Sequence, residues 1–260
     1  MLKARIITAL FLVAAFLAVL FLLPPRLAGM TFALVAAMAA WEWAGLMQAP
    51  LRGRIAFGLL AFGLCLLFWT RPEDGFRLLW GLATLFWLGV APLWLKWQWP
   101  TACATLGLVL ILPAWAALVA LHARSPVLLL AVMALVWVAD IAAYFSGRAF
   151  GRHKLAPSIS PGKTWEGVAG ALIGVLVYGF AVAPLLPAVQ NLDRFVLAGC
   201  LLIITALSIV GDLFESLAKR QAGVKDSSQL LPGHGGILDR IDSQLSTLPL
   251  VALGLHFLSA

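Results

Sequence analysis

Two polar stretches in an otherwise apolar chain hold most of the side chains able to do chemistry. The later one runs from Gly211 to Ser243 and packs carboxylates, cations, hydroxyls and glycines into a short span. Asp212, Asp226, Asp239 and Asp242 are hard oxygen donors of the kind magnesium takes, and that ion uses one or two carboxylates with phosphate oxygens and water completing its shell. Lys219, Arg220, Lys225 and Arg240, with the hydroxyl of Ser216 nearby, suit the charge and geometry of phosphate. Between them, Pro232-Gly233-His234-Gly235-Gly236 lets the backbone come close to a ligand, so that the amides of Gly235 and Gly236 can line a concavity for an anion. His234 is open to three roles: catalytic acid, phosphate donor or plain loop residue. Zinc is not the metal expected, because no second His or Cys stands near it at ligand spacing.

The earlier stretch runs from Asp140 to Gly167. Gly162-Lys163-Thr164 looks like the end of a nucleoside triphosphatase phosphate loop, but that motif needs glycine where Pro157 stands and a strand before it. The motif is rejected, and the underlying physics is kept: Ser160, Lys163 and Thr164 just ahead of a helix N-terminus can bind an anion. Asp140 and Tyr144 are four apart, on one helical face. Asp140 inside an apolar helix is either paired structurally or part of a site, as is Glu42, a carboxylate between Trp41 and Trp43 in mid-span.

The elements that position these residues follow from composition. Of the 260 residues, 63% are hydrophobic and 11% charged, with a mean hydropathy of +1.00. A soluble domain carries roughly 25% charged residues. Spans of about 20 apolar residues are expected near 5–23, 28–48, 54–70, 76–95, 101–121, 126–146, 166–189, 195–214 and 240–258. The fold expected is an all-α, polytopic transmembrane bundle of about nine spans, forming one integral membrane domain. Residues 1–125 read as scaffold, and 126–260 as catalytic spans with their loops. Pro24-Pro25, Pro50, Pro72, Pro100 and Pro126 fall between the apolar runs, where a missing amide is tolerated. Trp69, Trp80, Trp94, Trp97 and Trp99 gather near span ends, as interfacial anchors do. The first run, with Lys3 and Arg5 ahead of it, reads as a retained helix rather than a signal peptide.

Orientation follows from the basic residues. With the N-terminus cytoplasmic, all of the 18 Lys and Arg residues except Arg26, Arg71, Arg77, Arg124 and Arg194 lie inside. Both polar stretches then face the cytoplasm. The net charge of +7 is accounted for by these loops and requires no nucleic acid partner. Cys65, Cys103 and Cys200 form no pair at metal or redox spacing and read as small core residues.

With these residues in view, Ser216 through Asp242 closely resembles the signature of the phosphatidate cytidylyltransferases, the CDP-diacylglycerol synthases. The match comprises Lys219-Arg220, Lys225-Asp226, His234-Gly235-Gly236 and Asp239-Arg240-Ile241-Asp242, and Ser160 to Gly167 is similar to a further stretch common in that family. Ala218 and Ser228 depart from it, standing where a larger apolar residue and a glycine are frequent. The resemblance implies transfer of a cytidylyl group from CTP to phosphatidic acid, with pyrophosphate released, in the inner membrane of a bacterium. It also implies a divalent cation, magnesium, held by Asp212 and Asp239, and it leaves room for a monovalent cation and for a homodimer. Lys225, Arg240 and His234 join the catalytic group. Ser160, Lys163, Thr164, Ser216, Lys219, Arg220, Asp226, Gly235 and Gly236 line the phosphates. Two other readings compete: a transferase acting on another membrane lipid phosphate, and a transporter of a phosphorylated solute. Transporters carry broken helices in paired halves, whereas here the polar residues gather in one half.

Overall fold

The structure, a computed structural model, describes residues 2–69, 73–231, 233 and 235–258. Helices stand at every predicted apolar run. In chain order they are α1 (Leu2–Leu22), α2 (Pro25–Leu46), α3 (Leu51–Trp69), α4 (Glu73–Leu85) continuing through a π-turn (Phe86–Val90) into α5 (Ala91–Trp97), α6 (Ala104–Arg124), α7 (Pro126–Phe150), α8 (Trp165–Val182), α9 (Arg194–Gln221) and α10 (Leu238–Phe257). Among the described residues, seven of these helical stretches are long and apolar enough to cross a membrane, so the chain is a multi-pass membrane protein.

The helix nearest the C-terminus is not one of the seven. Its first turns carry Asp239, Arg240 and Asp242, and Ser243, Gln244, Ser246 and Thr247 are all buried. α10 packs against α9, α6 and α4, which bury these polar side chains. Its hydroxyls are satisfied there, with Ser243 Oγ donating to the Ser208 carbonyl at 3.0 Å and Ser246 Oγ to the Leu207 carbonyl at 2.8 Å. Such interhelical bonds hold a polar helix inside an apolar bundle.

Small residues set the closest approaches. Along the α7/α8 seam, a Cβ on Gly174 would sit 2.8 Å from the Ala142 side chain, and one on Gly170 would collide with Ser146. Such seams let transmembrane backbones pack by dispersion contacts where the hydrophobic effect between helices is weak. In the N-terminal half, buried Ala33, Ala36, Ala39 and Ala40 form the core-facing side of α2, and Trp43, Trp87 and Trp115 fill the space beside them.

One element departs from the all-α expectation. Residues Lys154–Ala156 (β1) and Ser160–Thr164 (β2) form a two-stranded antiparallel hairpin. Pro157 and Pro161 lack amide hydrogens and cannot propagate a helix there, while buried Ile159 anchors the turn on Leu213 and Leu217 of α9. Three single residues also depart from expectation. Trp80 is buried in the core and is not an interfacial anchor, and of the three cysteines only Cys65 is buried, Cys103 and Cys200 being exposed.

Candidate active site

The hairpin, the loop after α9 and the link between α5 and α6 meet on one face of the bundle. Gln98 Nε2 donates to Ser158 Oγ at 2.9 Å, Gln221 Nε2 donates to the Trp99 carbonyl at 2.9 Å, and Arg220 reaches the Ile159 carbonyl at 3.4 Å. The two polar stretches of the sequence are thereby tied together.

Asp239, in the first turn of α10, organises the loop. Its Oδ2 accepts the amide of Gly236 at 2.8 Å and both the amide and the hydroxyl of Ser227 at 2.9 Å. Its Oδ1 takes Lys219 Nζ at 2.6 Å. Lys219 also forms an ion pair with Glu215 one turn earlier on α9. Glu215 is buried, and among the described residues Lys219 is the partner of its carboxylate.

A second carboxylate reaches the same loop from the far end of the chain. Glu42 on α2, fully buried, accepts Ser228 Oγ at 2.6 Å and the Ile237 amide at 2.9 Å on one oxygen. The other oxygen accepts Ser227 Oγ at 3.1 Å and the Leu238 amide at 2.7 Å. Ile237, at the N-cap of α10, offers no capping side chain. Glu42 therefore satisfies the first amides of that helix from a different helix, a service that a local Ser or Asp usually performs. The packing leaves no space beside Gly236, where a Cβ would collide with Ser227 Oγ and come within 2.6 Å of Glu42 Oε1.

Beside this loop lies a cavity of about 430 Å³ walled by α7, α8, α9 and the hairpin. Asp140, Tyr144 and Arg148 from α7, Lys163 from β2 and Asp212 from α9 line it, together with Ala143 and Ile209. Lys163 Nζ and Asp212 Oδ2 are 2.6 Å apart, each about three-quarters buried. Asp212 Oδ1 accepts Ser216 Oγ at 3.3 Å. Asp242 of α10 lies in electrostatic reach of Asp212, Asp140 and Lys163. The α9/α10 crossing puts it there, since a Cβ on Gly211 would come 2.8 Å from the Asp242 carbonyl oxygen.

The predicted residues thus fall into groups. Asp212, Ser216 and Lys163 meet at the cavity, with Ser160 lining it. Asp239, Lys219, Gly235 and Gly236 form the loop, where Gly235 has a φ of 83° and its carbonyl accepts the Leu231 amide at 2.9 Å. Lys225, Asp226 and Arg240 are exposed on the same face. His234 lies outside the described residues. Three candidates have protein partners where phosphate contact was expected. Thr164 is buried and its hydroxyl caps α8 by accepting the Gly167 amide at 3.1 Å; Arg220 bonds to backbone carbonyls; and Lys219 is held between two carboxylates. Sequence reasoning singled out Glu42 without a partner and gave no role to Glu215 or Arg148. Glu215 could have been found as an acid on the same helix, one turn before Lys219.

Among the described residues no group of three or more His, Cys, Asp or Glu side chains is arranged to hold a metal ion. Two aspartates fit magnesium shared with substrate phosphates, since that ion needs only one or two carboxylates from the protein. Asp212 fits more readily, its Oδ1 carrying one long contact. Asp239 would have to release Lys219 from Oδ1.

Comparison with known proteins adds a second line. The profile described as the Cytidylyltransferase family matches residues 3–258. A phosphatidate cytidylyltransferase of Pseudomonas aeruginosa is 44% identical, over 97% of this chain and 96% of that protein. One from Haemophilus influenzae is 38% identical, over 96% of each chain. Another, from Staphylococcus aureus, is 46% identical over 45% of this chain and 44% of its own length.

Proposed function

The chain belongs to the cytidylyltransferase family, and we infer that it transfers the cytidylyl group of CTP to phosphatidic acid, giving CDP-diacylglycerol and pyrophosphate for phospholipid biosynthesis. The observation that carries the reading on the side of geometry is the Lys163–Asp212 pair, 2.6 Å apart in a cavity at one end of the apolar bundle. A cation from one polar stretch and an acid from the other meet there, as a reaction between two phosphates requires.

The lipid phosphate attacks the α-phosphorus of CTP, an anion approaching an anion, so the protein's task is charge neutralisation and in-line positioning. A phosphate monoester is largely ionised at neutral pH, and no general base is required. Lys163, paired with Asp212, lines the cavity where the phosphates would bind. The exposed Lys225 and Arg240 receive the nucleotide phosphates from solvent. Lys219 acts at one remove, holding Asp239 and with it the Ser227 and Gly236 backbone. Asp212, and Asp239 once Lys219 releases its Oδ1, would hold a magnesium ion, which would stabilise charge developing on the pyrophosphate.

The orientation we propose puts the N-terminus and this face in the cytoplasm. The surplus of Lys and Arg in the corresponding loops supports it, and bacterial relatives support the inner membrane. The deciding experiment measures pyrophosphate release from CTP by purified protein in detergent, with phosphatidic acid and magnesium each present or omitted. Release that needs both, with CDP-diacylglycerol formed in step, is expected. Release without the lipid, or none from folded protein, refutes the assignment.

A further inference from the structure

The two charged ends of the cavity differ in one respect. Lys163 already has its counter-charge in Asp212. Arg148, at the mouth formed by the last turn of α7, does not: among the described residues its side-chain partner is the neutral Tyr144 hydroxyl, at 3.0 Å. Tyr144 accepts that bond and keeps its own proton to donate. Asp140, the acid on the same helix, lies eight residues earlier, about 12 Å along the axis. The pair thus offers guanidinium N–H groups and a phenolic O–H toward an anion, with Asp140 one turn before Tyr144 and two turns before Arg148.

The surroundings identify which anion. Tyr144 and Trp165 are each more than half exposed. Exposed aromatics at the ends of apolar spans mark the level of lipid headgroups. The cavity they flank also has apolar walls, including Ala143, Val168 and Ile209. We propose that Arg148 and Tyr144 form the recognition site for the phosphate of the lipid substrate, a phosphate monoester on a diacylglycerol that reaches the cavity from the bilayer, while the nucleotide arrives from the aqueous side. The assignment rests on the transfer reaction inferred above and specifies where its acceptor binds.

The test separates the two substrates. Arg148→Ala, Arg148→Lys and Tyr144→Phe are assayed in mixed micelles of detergent and dioleoyl phosphatidic acid, with the KM for the lipid and for CTP determined independently. Loss of a charge-assisted bond predicts a rise of about tenfold or more in the lipid KM for Arg148→Ala, a smaller rise for Tyr144→Phe and partial recovery for Arg148→Lys. The KM for CTP stays within about twofold of wild type in each. A rise confined to CTP, an equal rise for both substrates, or no change in either overturns the proposal. The lysine and phenylalanine variants preserve the packing and keep the test valid where Arg148→Ala fails to fold. A wild-type protein that does not turn over phosphatidic acid removes the reaction and this site together, whereas normal wild-type turnover with unaltered variants removes the site alone.

Discussion

Glu42 accepts the hydroxyl of Ser228 at 2.6 Å across 186 positions of sequence. The same carboxylate takes Ser227 and the Ile237 and Leu238 amides, so a helix from the scaffold half fixes the loop that carries the candidate chemistry.

Glu42→Ala strands the Ile237 and Leu238 amides and the Ser228 hydroxyl, while Ser227 Oγ keeps Asp239 as its acceptor. Each buried donor left unsatisfied costs about 1–3 kcal/mol, so a sharp fall in the unfolding midpoint in detergent is expected, with loss of turnover. Glu42→Gln keeps the shape and should retain the fold with reduced turnover. Wild-type stability and rate in both variants would show that the clamp is idle.

Ser228→Gly installs the residue frequent in the resembled signature. It removes one hydrogen bond of the clamp while the other donors to Glu42 remain, so a loss of about 1 kcal/mol in stability and nearly normal turnover are expected. Abolished activity would mean that Ser228 does more than hold Glu42.

Lys219→Ala leaves Glu215 and Asp239 buried without their cation. Breaking a buried ion pair on one side costs about 3–5 kcal/mol. The double variant Lys219→Met with Glu215→Gln removes charge from both sides and should recover much of the midpoint but not the activity, since Asp239 still lacks its tie. Thermal unfolding in detergent reads the first effect and pyrophosphate release the second; a double variant no more stable than Lys219→Ala would discard the pairing.

Asp212→Asn and Asp239→Asn are separable. Both should lower turnover by about a hundredfold or more, as losses of electrostatic stabilisation do. Asp239→Asn should also lower the unfolding midpoint, because Oδ2 holds three donors in the loop. Asp212→Asn should lower it less, because Asp140 and Asp242 remain in electrostatic reach of Lys163. Normal turnover by either variant at saturating magnesium would remove that residue from the site.

Hydropathy made the helices legible, and residue type made the two polar stretches legible, because lipid imposes length and polarity on every span. Partners were not legible. Lys219 and Lys163 read as phosphate contacts from charge alone, yet each sits against a carboxylate from another element or turn. Thr164 belongs to the right segment but spends its hydroxyl on a helix cap. Glu42 stood out as a costly acid, and its four donors lie in a loop and a helix start far along the chain, where spacing carries no signal. The hairpin at Lys154–Thr164 is too short, and too rich in proline and polar residues, to show strand alternation.

The polarity of α10 bears on how the protein is made. A 20-residue segment that buries serine, glutamine and threonine among other helices gains little from lipid alone. Its place is secured once α4, α6 and α9 are there to receive it. Asp239, Asp242 and the amides gripped by Glu42 arrive with that helix, so biogenesis completes the candidate site late. A nascent chain paused before Leu238 would have its apolar spans in the bilayer and no working site.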